Sequence, residues 1–216
     1  MAEKRKVGNL LALAVLATVY TRPMHRYEMA SVMRARGKDQ DMDIKWGSLY
    51  TVVQNMEKHG FLEVVGTDRA GARPERTIYA ITEAGRRELV EWTRELIATP
   101  QAEHPRFAAG LSVLAVLTPQ EAIALLRERL GRLEESIDAQ RASIARSGEE
   151  GVPRLFLVEN EYGLAMLEAE AAWSRSLLGE LTSGAFPDLA GWQAWHQTGE
   201  MPDEVAEIAE RGLPPD

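Results

Sequence analysis

Between Lys45 and Gly60 the chain spaces its apolar residues for a helix. Leu49, Val52, Val53 and Met56 stand at i, i+3, i+4 and i+7, which is one side of an α-helix stepped at about 100° per residue. The opposite side carries Gly47, Thr51, Gln54 and Lys58, with Tyr50 and Asn55 on its shoulders. The first side requires a core, while the second holds short donors and acceptors plus a cation, able to reach a base edge or a phosphate. Alone, such a helix is also simply a solvated amphipathic face. The next twenty residues narrow the choice. Two runs rich in β-branched and aromatic residues, Phe61 to Val65 and Arg76 to Ile81, read as strands. Gly66, Gly71 and Pro74 mark the segment between them as a hairpin loop. Arg69 and Arg73 lie near its tip and Arg76 at its base, where arginines can hold phosphate or merely keep a loop in water.

Upstream, Val7 to Tyr20 reads as a first helix. Leu10, Leu11, Leu13, Val15, Leu16 and Val19 leave it almost no polar face. A helix apolar all round is buried all round, so a partner subunit is expected to cover Leu10, Leu13 and Leu16. Thr21-Arg22-Pro23 breaks this helix and begins another, from Met24 to Arg36, with Tyr27, Ala30 and Met33 inward and Gly37 as its stop. An acidic loop, 39–43, leads to the two-faced helix. Thr82 then caps a fourth helix running to about Ala98. The N-terminal tip, Glu3 to Lys6, reads as a loose arm. Three helices, a cationic hairpin and a fourth helix make a winged helix-turn-helix. In that fold the third helix lies in the major groove and the hairpin lies along the backbone or in the minor groove. Ser48, Thr51, Gln54 and Asn55 are the candidate base readers; Lys45, Tyr50, Lys58, Arg69, Arg73 and Arg76 are the candidate phosphate holders. Winged helices also serve as protein-interaction modules, so the fold alone does not decide the function.

The back half is helical. Phe107 to Leu117 is an uncharged apolar run that reads as a short buried helix. Thr118-Pro119-Gln120-Glu121 is a capping box with proline at the first helical position. The long helix after it, to about Ser147, carries Ile123, Leu126, Leu130, Leu133, Ile137, Gln140 and Ile144 as a heptad seam broken once by Gln140. A Gly/Pro turn leads to a second long helix from Arg154 to about Ser183, striped by Leu155, Val158, Tyr162, Met166, Ala169, Trp173, Leu177 and Leu181. Two such helices pack as an antiparallel hairpin. A lone hairpin buries little, so a second subunit is expected along Ile123, Leu126, Leu130, Leu133, Ile137, Tyr162, Met166, Ala169 and Trp173. Residues 184–216 are acidic and punctuated by Gly and Pro; a short helix is expected from Pro202 to Arg211, and Trp192 and Trp195 imply that this tail docks. The expected fold is mainly α with a small two-stranded β-wing. Its domains are 1–99 for DNA, 100–183 for a helical arm and 184–216 for the tail.

The 216-residue chain has a net charge of −8, which on average argues against a nucleic-acid partner. The average hides an asymmetry: residues 1–99 hold 16 Lys+Arg against 13 Asp+Glu, and residues 100–216 hold 9 against 20. Only the field at the contact surface matters for phosphates. With no cysteine, disulfides, thiolate zinc sites and a cysteine nucleophile are excluded. The longest apolar run, Leu10 to Val19, is too short to span a bilayer. No secretory signal pattern is seen, and a cytoplasmic location is expected. His25, His59, His104 and His196 lack metal-ligand spacing, and no phosphate loop or nucleophile elbow appears. An enzyme, a cofactor and a metal are therefore not expected. Trp92, Phe107 and Trp173 are candidates for an aromatic-walled effector pocket, though large aromatics equally build cores.

Four stretches carry a resemblance to a known family. They are Gly47-Ser48-Leu49-Tyr50 with Met56-Glu57-Lys58-His59-Gly60-Phe61-Leu62 at the ends of the third helix, Gly71 through Arg87 for the wing and fourth helix, and Met24-His25-Arg26-Tyr27-Glu28 at the second. Together they resemble the PadR-like transcriptional regulators over about residues 8–98. Arg26 stands where a glycine is usual and Thr51 where a proline is usual, departures that bear on the groove contacts. The resemblance implies a homodimeric cytoplasmic DNA-binding protein, most often a repressor; such a dimer is expected on a pseudo-palindromic operator. It also implies a C-terminal helical dimerisation arm and, where there is an effector, a phenolic or flat aromatic one. A protein-interaction scaffold and a dimer that chiefly sequesters a hydrophobic ligand are the competing functions.

Overall fold

The computed structural model describes residues 7–38, 42, 44–68, 76–201 and 206. The chain divides into two compact units, Met1–Glu103 and His104–Asp216.

The first unit runs α1 (Leu10–Val19), β1 (Met24–His25), α2 (Arg26–Ala35), a 3-10 turn (Trp46–Ser48), α3 (Leu49–Lys58), β2 (Leu62–Asp68), β3 (Arg76–Ile81) and α4 (Glu83–Ala98). Asn9 caps α1 by accepting the Leu11 N–H at 2.8 Å. The one buried hydroxyl of α1, on Thr18, donates to the Ala14 carbonyl within the same helix at 2.7 Å. α1 is buried as its composition demands, but its own unit does the covering: it lies against α2, α3, α4 and β3. Leu13 and Leu16 are therefore core residues and not a subunit surface; of the three expected there, only Leu10 is exposed.

The wing belongs to a three-stranded antiparallel sheet, ordered β1-β3-β2, rather than a two-stranded one. Met24 pairs with Tyr79 and His25 with Ile78. These two residues were expected in the second helix. They are extended because both pair with β3 and because His25 is the N-cap of α2, its Nδ1 accepting the Glu28 N–H at 3.2 Å. Met29, Ala30 and Met33 face the core, whereas Tyr27, expected inward, is 78% exposed. β2 and β3 pair from Leu62–Ile81 to Asp68–Arg76, with Val65 as the extra residue of a bulge between Val64 and Gly66. The loop tip, with Arg69 and Arg73, the arm 1–6 and most of the acidic loop lie outside the described residues.

Thr82 ties the end of α3 to the start of α4. Its N–H donates to the Phe61 carbonyl at 3.1 Å, its hydroxyl donates to the Gly60 carbonyl at 2.6 Å, and the same hydroxyl accepts the Gly85 N–H at 3.0 Å. Gly60, at φ 75°, makes the turn that brings Phe61 into place.

The second unit runs α5 (Arg106–Leu111), a 3-10 turn (Leu114–Val116), α6 (Pro119–Glu149), a 3-10 turn (Arg154–Phe156), α7 (Val158–Ser183) and α8 (Leu189–Thr198). The run from Phe107 to Leu117 is not a buried helix. It is split into the short helix α5 and a 3-10 turn, and Val113 and Val116 are exposed. The capping box is present: Thr118 accepts the Glu121 N–H, and the Glu121 carboxylate accepts the Thr118 N–H at 2.9 Å. These bonds, the backbone one first, hold the Glu121 carboxyl below its ordinary pKa.

α6 and α7 pack as a hairpin. Leu133 and Ile137 are buried with Ala171, flanked by Leu130, Leu164 and Leu167. Gln140, the break in the heptad, donates to the Asn160 carbonyl at 3.3 Å and is satisfied across the hairpin. Much of the seam expected to recruit a second subunit thus packs within the chain, with Leu126 buried as well. On α7 the packed face runs through Leu164, Leu167, Ala171, Ser174, Leu178 and Leu181, where the small Ala171 and Ser174 are buried. The expected aromatic stripe lies beside this face. Leu155, Val158, Tyr162, Met166, Ala169 and Trp173 are exposed, with Tyr162 at 68%. Exposed ion pairs Arg141–Glu168 and Arg175–Glu134 also span the hairpin; pairs of this kind contribute about 0–1 kcal/mol each. α8 docks within this unit through the Trp192 indole, which donates to the Leu117 carbonyl at 2.9 Å, and His196, 2.9 Å from the Ala115 carbonyl. The helix expected over 202–211 lies outside the described residues.

Candidate nucleic-acid interface

α3 buries the four residues its spacing assigns to the core, Leu49, Val52, Val53 and Met56. That leaves Tyr50, Thr51, Gln54, Asn55 and Lys58 in solvent, with Lys45 exposed just ahead of the 3-10 turn. Ser48 is turned back on its own turn, its hydroxyl donating to the Lys45 carbonyl at 2.7 Å. Gln54 Nε2 donates to the Tyr50 hydroxyl at 2.9 Å, one helical turn away.

The sheet brings the start of α2 to the base of the wing. Because β1 pairs with β3, His25 sits beside Arg76: Nε2 is 3.3 Å from Arg76 Nη1. Nδ1 already accepts the Glu28 N–H, so a neutral ring carries its proton on Nε2. Two donors, the imidazole N–H and the guanidinium, then stand side by side, an arrangement that an anionic oxygen between them satisfies. Arg76 is half-buried, and its guanidinium carbon lies 5.9 Å from the centre of the exposed Tyr27 ring. Arg22 forms an ion pair with Glu28, which holds the Glu28 carboxyl below and the Arg22 guanidinium above their ordinary pKa values. Arg26 lies over the Tyr50 ring, 3.9 Å from its centre.

The candidate site thus gathers Tyr50, Gln54 and Arg76 from the expected set and adds His25, Arg26 and Tyr27. His25, Arg26 and Tyr27 were hidden because their role depends on β1, too short to show an alternating pattern. The sequence signal for them was the break at Pro23. Arg69 and Arg73 lie outside the described residues.

Of the candidate effector residues, Trp92 is 4% exposed and belongs to the core of the first unit. Phe107 and Trp173 meet edge to face, with ring centres 5.8 Å apart. The Arg129 guanidinium lies 3.7 Å from the Phe107 ring centre and donates from Nε to Glu170 at 2.7 Å. Phe107, Leu111, Met166, Glu170 and Trp173 line part of a cleft of about 370 Å³. Among the described residues no group of His, Asp and Glu has the arrangement of a metal site. No helix among them is long and apolar enough to cross a membrane.

Residues 15–91 match the family model of the transcriptional regulator PadR-like family. Over these residues the winged-helix unit is similar to the PadR-like family. The match runs from the second half of α1 to the middle of α4, and so contains all of α3 and the three strands of the sheet. No curated protein matches the chain in sequence. Similar folds are found in solved structures. Bacillus subtilis PadR in complex with operator DNA is 18% identical, with a TM-score of 0.68 over 80% of this chain and 99% of that one. The same protein in complex with p-coumaric acid has a TM-score of 0.65 at 18% identity, over 81% and 99%. The Vibrio cholerae virulence activator AphA has a TM-score of 0.58 at 19% identity, over 80% and 98%. At these identities the likeness is one of fold.

Proposed function

We propose that the protein is a dimeric DNA-binding transcriptional regulator, a repressor of nearby genes released by a small aromatic effector. The observation that carries this reading is the solvent-facing polar side of α3 set beside the paired donors His25 and Arg76. Thr51, Gln54 and Asn55 read bases in the major groove, whose edges display distinct donor and acceptor patterns. Lys45, Tyr50, Lys58, Arg76 and the wing arginines Arg69 and Arg73 hold phosphates, with His25 beside Arg76. Ser48, although bonded to the Lys45 carbonyl, sits at the start of the same face. Two copies pair through the exposed stripe Tyr162, Met166, Ala169 and Trp173 on α7, with Leu10 as a second patch. A two-fold dimer matches a pseudo-palindromic operator.

The test is an anisotropy titration on duplex from the protein's own upstream region, with salt varied. Binding is expected to saturate at two chains per duplex. Arg76→Ala and Lys58→Ala weaken every sequence alike and lower the salt slope by about 1 each. Thr51→Ala and Asn55→Ala instead relax the sequence preference. Absence of salt-dependent binding to any duplex rejects the reading.

The effector site is proposed at the Phe107–Trp173 cleft, whose volume and aromatic walls suit a small ring compound. A PadR of similar fold has been solved with p-coumaric acid, which supports a small phenolic ring as the kind of effector. A phenolic acid is expected to release the bound duplex. Phe107→Ala, on the cleft wall but outside the pairing stripe, abolishes that release without loss of duplex binding; release that survives the substitution puts the effector elsewhere.

A further inference from the structure

Arg26, Tyr50 and Gln54 form a relay across the reading face. The Arg26 guanidinium carbon is 3.9 Å from the Tyr50 ring centre and 5.9 Å from that of Tyr79. Its Nη1 is buried with no hydrogen-bond partner among the described residues. Stacking on the rings therefore helps to hold the guanidinium, and the stacked cation in turn braces a tyrosine that is 54% exposed. The braced hydroxyl accepts one N–H of Gln54 at 2.9 Å.

A glutamine amide has two N–H donors and one carbonyl acceptor. With one N–H given to Tyr50, an N–H and the carbonyl oxygen are left on an exposed side chain. That donor and acceptor match the N7 acceptor and N6 amino donor that adenine shows in the major groove. Guanine shows two acceptors there and leaves the carbonyl oxygen unpaired; thymine and cytosine each show only half of the pattern. Glutamine is also among the side chains that lose most rotamer freedom when fixed, so fixing it beforehand leaves less to lose on binding.

We infer that Gln54 reads an adenine in each half-site, and that Arg26 and Tyr50 are positioning residues that preset its amide for that base. This inference rests on the proposed DNA-binding function.

The test is selection from a pool of duplexes with a randomised core, comparing wild type, Gln54→Ala, Tyr50→Phe and Arg26→Gln. Wild type is expected to fix one A·T pair per half-site by about tenfold or more over the other pairs. Gln54→Ala loses the preference at that position alone. Tyr50→Phe keeps the ring that Arg26 stacks on and removes only the hydroxyl; it is expected to cut the same preference about threefold, a part of a glutamine's rotamer freedom. Arg26→Gln does the same, and its lost charge lowers all sequences alike, which cancels in the ratio between bases. A Gln54-dependent position that is not A·T, or one indifferent to Tyr50→Phe, overturns this inference and leaves the DNA-binding function standing. No salt-dependent binding of any duplex overturns both. Tyr50→Phe is a surface change and decides the matter even where Arg26→Gln fails to fold.

Discussion

Gly85→Ala is expected to destabilise the first unit by about 3 kcal/mol or more, at the upper end of overpacking costs. Two effects oppose each other at this position. In an exposed helix the change from glycine to alanine adds about 1 kcal/mol of stability. Here a Cβ on Gly85 would lie 2.2 Å from the Phe61 carbonyl oxygen and 2.9 Å from Ile81 Cγ1. The first of these atoms is backbone, and it is held in place because it accepts the Thr82 N–H. It cannot swing aside as a side chain would, so either α4 lifts from the α3–β2 connection or the Thr82 cap breaks. Steric cost therefore outweighs helix propensity. Thermal denaturation checks it: a drop of roughly 10 °C or more is expected, at 4–8 °C per kcal/mol for a domain of this size. An unchanged or raised midpoint would mean that α4 does not approach Phe61 this closely.

Met56→Ala is expected to cost about 3 kcal/mol, within the range for emptying a fully buried methionine site. Met56 is 0% exposed and lies with Val53 on the inner side of α3. On the proposed function the loss appears in DNA binding as well, because α3 owes its place to this face. The signature separates it from Gln54→Ala. Met56→Ala lowers the melting temperature and weakens all sequences together, while Gln54→Ala leaves the melting temperature unchanged and alters only the preference between bases. Chemical denaturation beside duplex binding tests both. A Met56→Ala protein of wild-type stability would place α3 off the core.

The parts of the fold that were legible in the sequence are those with a long period and a single solution. Leu49, Val52, Val53 and Met56 bury as their spacing requires, and Thr118 with Glu121 closes the capping box. Misjudged parts had two solutions of similar merit. Along α7 the large residues Tyr162, Met166 and Trp173 suggest one face, but the row through Ala171 and Ser174 is the one that packs, because small side chains let α6 approach. α1 is apolar all round, which says that it must be covered but not by what. β1 is two residues long, so neither periodicity nor propensity reveals it. The contacts that β1 creates, His25 with Arg76 and the nearby stack of Arg26 on Tyr50, join residues far apart in the chain and could not be read along it.

The extra residue in β2 bears on solubility. β2 is an outer strand of the sheet, and Val64 and Val65 are both exposed along it. A flat apolar margin of this kind invites strands of other molecules to add to it and start a fibril. Val65 interrupts the regular pairing at the bulge, which twists the margin and spoils the register that a second copy would need. A second copy in a concentrated solution thus meets no regular strand margin along β2 onto which to zip.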